Sequence, residues 1–431
     1  MNSALVDQSH LPTAVGSARQ LEYQDWEMGI FFHFGIRTFY EGHRDWDGVP
    51  MPLEGFAPAG LNCDDWIVSA KRAGMNYAVL VCKHHDGFAN WPSAHSQFSV
   101  SQTPWKGGQG DVVREFTDAC RRHGLGIGLY YSPAEWGNPG FEDEEEYDEH
   151  FLNQIRELLT GYGDIDILWF DGCGSEGHTY DWPRIVAEIR RLQSSILIFN
   201  MGGDPDFRWV GNEAGVAGLP NWNTVTGSRF SVNTEGDDPV ADNPLWLPAE
   251  CDCMMRWHNW FFEEADVDTV KPVEELMGLY YLSVGRGANL LINIGPDRRG
   301  LLPDADRQAL LAFGDEIRRR FGAPLAQFAD GAVTDTGWEY ESEEPFYLDH
   351  IVLQEDLSNG EAVRRFAVHM KTGISGQPIT LHEGRNIGHK AICRVPLVAC
   401  RKVVVEITEA DGPAALRQVS LHNSSGLAHA H

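Results

Sequence analysis

Through its first two-thirds, this chain alternates short, near-continuous apolar runs with helix-length amphipathic ones, and that alternation limits the fold more than any other feature. EMGIFFHF (27–34), NYAVLVC (76–82), LGIGLYY (125–131), DILWF (166–170), ILIFN (196–200) and FRWV (207–210) are the apolar runs. Strands that are apolar at nearly every position are buried on both faces, as in a parallel sheet covered by helices. The intervening segments supply those helices. DDWIVSAKRAG (64–74) reads as a helix with an Asp cap and a glycine stop, and GDVVREFTDACRRHG (110–124) as another capped helix. EEEYDEHFLNQIRELLTGYG (144–163) and DWPRIVAEIRRLQ (181–193) follow the next two positions of the pattern. Six or more such units predict a (β/α)8-like barrel rather than an open sheet. PVEELMGLYYLSVG (272–285), NLLINI (289–294) and a helix over 303–322 are expected to close it. The stretch 211–250 is rich in Gly, Asn, Pro and Trp, has no period, and is expected as loops over the barrel mouth.

From about residue 330 the pattern changes to short β-rich runs such as RRFAVHMKTG, QPITLHEG and KVVVEITEA, divided by Gly, Asn and Pro. The expected organisation is therefore a barrel over residues 1–330 and a C-terminal antiparallel β-sandwich over 331–431. A net charge of −29 repels phosphate backbones and anionic lipid heads, so neither nucleic acid nor membrane is an expected partner. No apolar run approaches bilayer-spanning length. The first 20 residues lack a basic and an apolar leader region, and the eight cysteines are scattered without a disulfide-like framework. Both point to a cytoplasmic protein; oligomeric state is not encoded in any readable pattern.

In a barrel of this kind the reactive groups stand at the C-terminal ends of the strands. There the chain places His33, Lys83-His84-His85-Asp86, Tyr130-Tyr131-Ser132, Trp169-Phe170-Asp171 and Asn212-Glu213. Carboxylates, imidazoles and aromatic walls suit glycoside hydrolysis. One carboxylate attacks or stabilises an oxocarbenium-like centre, and another protonates the leaving oxygen. A carboxylate abutting ILWF, as Asp171 does, has to be paired or open to a cleft. Gly172-Cys-Gly174-Ser-Glu-Gly177 spells a dinucleotide fingerprint, but its helix starts too late to open on those glycines. His84-His85-Asp86 could touch a metal, yet neighbours in an extended chain point apart and no second ligand pair follows, so neither metal nor cofactor is expected.

The runs HFG (33–35), KHHDGFANWPS (83–93), YYSPAEW (130–136), WFDG (169–172) and NLLINIGPDRRG (289–300) resemble the α-L-fucosidases of glycoside hydrolase family 29. RWVGNEAG (208–215), LPAECD (247–252) and EGRNIGHK (383–390) resemble the subfamily acting on α-1,3/1,4-linked fucose. The resemblance implies a retaining exo-α-L-fucosidase that takes terminal fucose from a fucosylated oligosaccharide. It makes Asp171 the nucleophile and Glu213 the acid/base; apart from the resemblance, Glu250 in LPAECD is the reserve candidate for the acid/base. The resemblance implies a fucose pocket lined by His33, His84, His85, Tyr131 and Trp169, with Tyr130 as a neighbouring candidate for the tyrosine role. Asp45-Trp46 stands where the family commonly carries a Glu-Trp pair, so an α-L-galactoside is the alternative glycon, and a fucose-binding protein without turnover is the rival from another class.

Overall fold

The computed structural model describes residues 14–42, 49–175, 177–200, 204–227, 240–371 and 377–427. Asp45 and Trp46 lie outside them. Six apolar runs of the sequence become parallel strands β1 (Met28–Phe32), β2 (Tyr77–Lys83), β3 (Gly126–Tyr131), β4 (Ile167–Phe170), β5 (Leu197–Phe199) and β6 (Arg208–Trp209). A hairpin of β7 (Thr224–Gly227) and β8 (Val240–Trp246) follows, and then β9 (Ala249–Met254) and β10 (Asn289–Ile294) rejoin the sheet. The spatial order is β5-β4-β3-β2-β1-β10-β9-β6. The Phe199–Phe207 bridge and an Asn200 N–H donated to the Phe207 carbonyl (3.1 Å) draw β5 towards β6, so the barrel is nearly closed.

Helices α2 (Cys63–Ala73), α3 (Val112–His123), α4 (Glu144–Gly161), α5 (Trp182–Leu192), α6 (Val273–Leu282) and α7 (Asp304–Phe321) are the connecting helices among the described residues. Asn62, Asp111, Asp143 and Asp181 cap four of them by accepting a backbone N–H of the first turn. The cap of α2 is therefore Asn62, with Asp64 and Asp65 inside its first turn. Along the strands, Ile30, Phe32, Leu80, Leu129 and Phe170 pack outward against helices, whereas Phe31, Val79, Tyr130, Trp169 and Phe199 fill the barrel interior. Glycine makes room for that filling: a Cβ on Gly29 would fall 2.3 Å from Cζ of Tyr77, and one on Gly128 2.7 Å from Cγ2 of Val79.

Some elements were not legible as periodic runs, among them the β7–β8 hairpin, which forms within the stretch expected to be loops. Helix α1 (Ala18–Trp26) opens on a Ser17 capping box and sends Tyr23, fully buried, into the barrel interior. Strand β9 begins inside the stretch expected to be loops. AECDCM looks polar because Glu250 and Asp252 project inward while Ala249, Cys251 and Cys253 face the helices. No described helix is long and apolar enough to cross a membrane.

The C-terminal β region is antiparallel and encloses its own core, which includes Trp338, Phe346, Ile351, Val403 and Leu421. Its strands β11 (Ala326–Gln327), β12 (Ala332–Thr334), β13 (Gly337–Glu355), β14 (Val363–Lys371), β15 (Pro378–Gly384), β16 (Ala391–Ala410) and β17 (Leu416–His422) join one sheet. Register shifts within the long β13–β16 pair let that ribbon bend. The EGRNIGHK run lies at the junction with the barrel: His389 and Lys390 bind Glu27, and Asn386 donates to the Asn221 carbonyl (2.9 Å).

Candidate active site

At the C-terminal mouth of the barrel lies a cavity of about 510 Å³, a size suited to a small ligand. Its walls include Phe31, His33, Arg37, His84, His85, Tyr130, Trp169, Asp171, Asn200, Trp209, Glu213, Asp252 and Trp260. Six of the sequence-derived residues thus meet in one place: His33, His84, His85, Trp169, Asp171 and Glu213.

Tyr131 does not join them. It is fully buried on the outer face of β3, stacked on Phe151 (4.9 Å) and donating its hydroxyl to Gln154 Oε1 (2.6 Å). Tyr130 faces the cavity instead, because residues two apart on a strand share a face. Gly126 and Gly128 lie on the face of Tyr130, and the crowded barrel interior is where glycine is required. That parity was available in GIGLYY. Glu250, the reserve acid, is also misplaced by the sequence reading. It is 1% exposed beneath the cavity, accepting the hydroxyls of Tyr23 and Tyr77 (2.6 Å each) and the Trp169 indole N–H (2.8 Å).

Asp171 follows β4 directly, where the chain leaves the sheet. Its Oδ1 accepts the Cys173 backbone N–H (2.9 Å) and its Oδ2 accepts the Tyr130 hydroxyl (2.8 Å). These two donors, one on each oxygen, orient the carboxylate. His85 brings Nε2 to 3.6 Å from Oδ2 while its Nδ1 pairs with Ser132 Oγ (2.5 Å). Ser132 gives its own proton to the Ala134 carbonyl (2.9 Å), so Nδ1 of His85 is the donor. The same logic fixes His33. Asn293 donates its amide to the Trp260 carbonyl (2.7 Å) and offers Oδ1 to His33 Nδ1 (2.7 Å), which therefore carries the proton.

Aromatic stacking holds the walls. Tyr130 lies between His84 (5.6 Å, 11°) and Trp169 (5.3 Å, 25°), and Trp169 stacks in turn on Phe199 (4.0 Å). Trp260 sits on a loop anchored by Arg256, which is buried between Asp266 (2.7 Å) and Asp306 (2.9 Å). The expectation that His84 and His85 diverge fails because β2 shifts register between Val81 and Lys83 and the chain then turns. Among the described residues, His84, His85 and Asp171 bring ligand atoms within 4.8 Å of one another, close enough to grip one transition-metal ion.

Glu213 lies on the irregular segment after β6. The residue as a whole is exposed at the rim, but its carboxyl turns inward. Burial of that carboxyl raises its proton affinity first and the charge of Asp171 adds to it, while a hydrogen bond from Trp260 opposes both. Glu213 is thereby biased to hold a proton beside Asp171.

A family model described as Alpha-L-fucosidase matches residues 51–319. The chain is also 32% identical over 419 residues to Alpha-L-fucosidase 1 of Arabidopsis thaliana, spanning 88% of this chain and 81% of that relative. The chain belongs to the α-L-fucosidase family. A crystal structure of a glycoside hydrolase 29 family member from an unknown rumen bacterium superposes with a TM-score of 0.85 at 30% identity, over 97% of this chain and 79% of that one. The fold is shared as well with a Ruminococcus gnavus GH29 fucosidase mutant crystallised with fucose, at a TM-score of 0.84 and 24% identity over 98% of each chain. The protein is accordingly a glycoside hydrolase with α-L-fucosidase activity, and its pocket is the place to read that activity from.

Sequence reasoning missed Arg37, Asn200, Trp209, Asp252 and Trp260 as cavity residues. The adjacent Trp257–Phe262 aromatic run was a usable signal for Trp260. Nothing local marked Asp252, since β9 was not recognised as a strand.

Proposed function

We propose that this enzyme is a retaining exo-α-L-fucosidase acting by double displacement on terminal α-1,3/1,4-linked fucose. The observation that supports it best is that Asp171, oriented by Tyr130 and Cys173, shares one cavity with Glu213, whose carboxyl is shifted toward holding its proton. Asp171 attacks the anomeric carbon and forms a glycosyl ester as the glycosidic bond breaks. Glu213 gives its proton to the departing oxygen, then takes one from the water that cleaves the ester. His33, His84 and His85 offer hydroxyl partners, and Trp169 and Trp260 offer apolar faces. A cavity floored by Phe31, Trp169 and Phe199 accepts a chain end rather than an internal sugar, which favours exo action. The linkage preference rests on the RWVGNEAG, LPAECD and EGRNIGHK runs. The R. gnavus relative holds fucose in the same fold, which supports fucose as the glycon.

The first-formed product anomer, read by proton NMR, tests the mechanism: α-L-fucose is expected, and β-L-fucose would overturn retention. Glu213→Ala should slow hydrolysis of natural fucosides by about 10²–10⁴-fold, far more than that of an activated aryl fucoside, and azide should restore turnover. A panel of linkage-defined oligosaccharides tests the aglycone. An α-L-galactoside belongs in it because Asp45 is one methylene shorter than the family's usual glutamate.

A further inference from the structure

Glu213 sits in a turn with little regular structure of its own, yet a general acid has to reach the leaving oxygen within hydrogen-bond distance. The turn is held by β9 at both ends. Before the glutamate, Val210 donates its N–H to the Glu250 carbonyl (3.0 Å) and the Trp209 indole N–H goes to Asp252 Oδ1 (2.8 Å). After it, Gly215 donates its N–H to the Asp252 carbonyl (3.0 Å), and Ala214 bridges Cys253. Gly215 is required there: its φ is +72°, and a Cβ would lie 2.9 Å from Cys253 Sγ. Inside the turn, Asn212 accepts the Ala214 N–H (3.0 Å) and donates to the Val216 carbonyl (3.0 Å). One residue, Asp252, therefore touches both legs.

We infer that Asp252 is a positioning residue for Glu213: its side chain holds Trp209 on one leg of the turn, and its backbone carbonyl holds Gly215 on the other. This inference rests on the assignment of Glu213 as acid/base. Asp252 is 4% exposed and lines the same cavity, so its carboxyl is a fixed point of the wall and not a mobile rim charge. Burial pushes its proton affinity well above the ordinary carboxylate range, Trp209 opposes that, and the charges of Glu213 and Glu250 reinforce it. In its protonated form Asp252 can accept from Trp209 with one oxygen and carry a hydroxyl on the other. It also spares Glu213 a second negative neighbour beside Asp171, which would make its proton harder to release.

The test compares kcat/KM, which reports the first displacement, for a natural fucosylated oligosaccharide and for 2,4-dinitrophenyl fucoside, whose leaving group needs no proton. Asp252→Ala should lower the former by about 10²-fold and the latter by less than about threefold, and should move the alkaline limb of the pH profile. Asp252→Asn, which keeps an acceptor for Trp209 and a neutral donor, should restore the natural substrate to within about threefold of wild type. Thermal unfolding of each variant confirms that the folded protein is being assayed. Equal losses on both substrates, no loss on either, or an Asn variant as impaired as the Ala variant would each overturn the inference. Glu213→Ala run in parallel separates the two claims. If it fails to discriminate the substrates, the acid/base assignment falls; if it discriminates and Asp252→Ala does not, only the positioning role falls.

Discussion

Glu250 offers a direct way to separate the structural acid of this barrel from the catalytic one. It is as deeply buried as any carboxyl among the described residues and accepts three hydrogen bonds, from Tyr23, Tyr77 and Trp169. Glu250→Ala strands three buried donors at about 1–3 kcal/mol each, and the tyrosine hydroxyls can swing to recover part of that. The low end of the sum, about 3–5 kcal/mol, is the expected loss of stability, before any cost of the space left behind. Glu250→Gln keeps an acceptor for the Trp169 indole and turns an amide towards two hydroxyls able to accept from it, so its cost is about 1–2 kcal/mol. Unfolding followed by tryptophan fluorescence is a suitable assay, since Trp169 is itself a partner. Below the unfolding transition, the Gln variant should show the wild-type ratio of rates on natural and activated fucosides, and azide should not accelerate it. A Gln variant of unchanged stability that loses natural substrates selectively and is rescued by azide would refute this reasoning. Glu250 would then be the acid, and the cavity would have been read wrongly.

The two adjacent tyrosines should behave oppositely. Tyr130→Phe removes a hydrogen bond to the carboxyl of Asp171, the proposed nucleophile, worth about 1.5–3 kcal/mol, so kcat/KM should drop about 10–100-fold with little change in stability. Tyr131→Phe loses only the bond to Gln154, and should cost about 1 kcal/mol of stability while leaving kcat/KM near wild type. A pH titration of stability addresses the domain junction. Burial and the neighbouring Glu355 push Glu361 up to about 7, against its ordinary 4.5, while backbone and side-chain donors from Asn223 and Thr224 pull the other way. Because the folded state holds this proton more tightly than the unfolded chain, the stabilisation is present below about pH 4.5 and lost as pH rises through about 7, amounting to roughly 3 kcal/mol. Glu361→Gln should flatten that part of the curve; an unchanged slope would mean that Glu361 is not the group titrating.

Most strands of the barrel were readable because parallel strands buried on both faces leave a dense apolar signature that few other elements share. Strand β9 escaped for the converse reason. Its inward positions carry Glu250 and Asp252, so it spells an alternating polar segment that directly follows the β7–β8 hairpin. Helix α1 escaped because its one deeply inserted apolar side chain, Tyr23, produces no periodic stripe. At the site, strand ends and motif resemblance identified Asp171, Glu213 and the three histidines. Adjacent residues such as Tyr130 and Tyr131 differ only by the parity of the strand, and a one-residue error exchanges barrel interior for helix-facing core.

The linear chain determined which short segments are too apolar to be anything but sheet interior, which segments cap and end as helices, and which reactive groups stand where a strand stops. Those are local properties, set by periodicity and backbone chemistry. Only the closed barrel decided that Glu250 lies beneath the cavity while Asp252 lines it, and that a turn with no pattern of its own is fastened so that Glu213 faces Asp171. These outcomes depend on contacts between residues far apart along the chain, where burial and neighbouring charge set each carboxyl's proton affinity, and neither exists until the chain has folded.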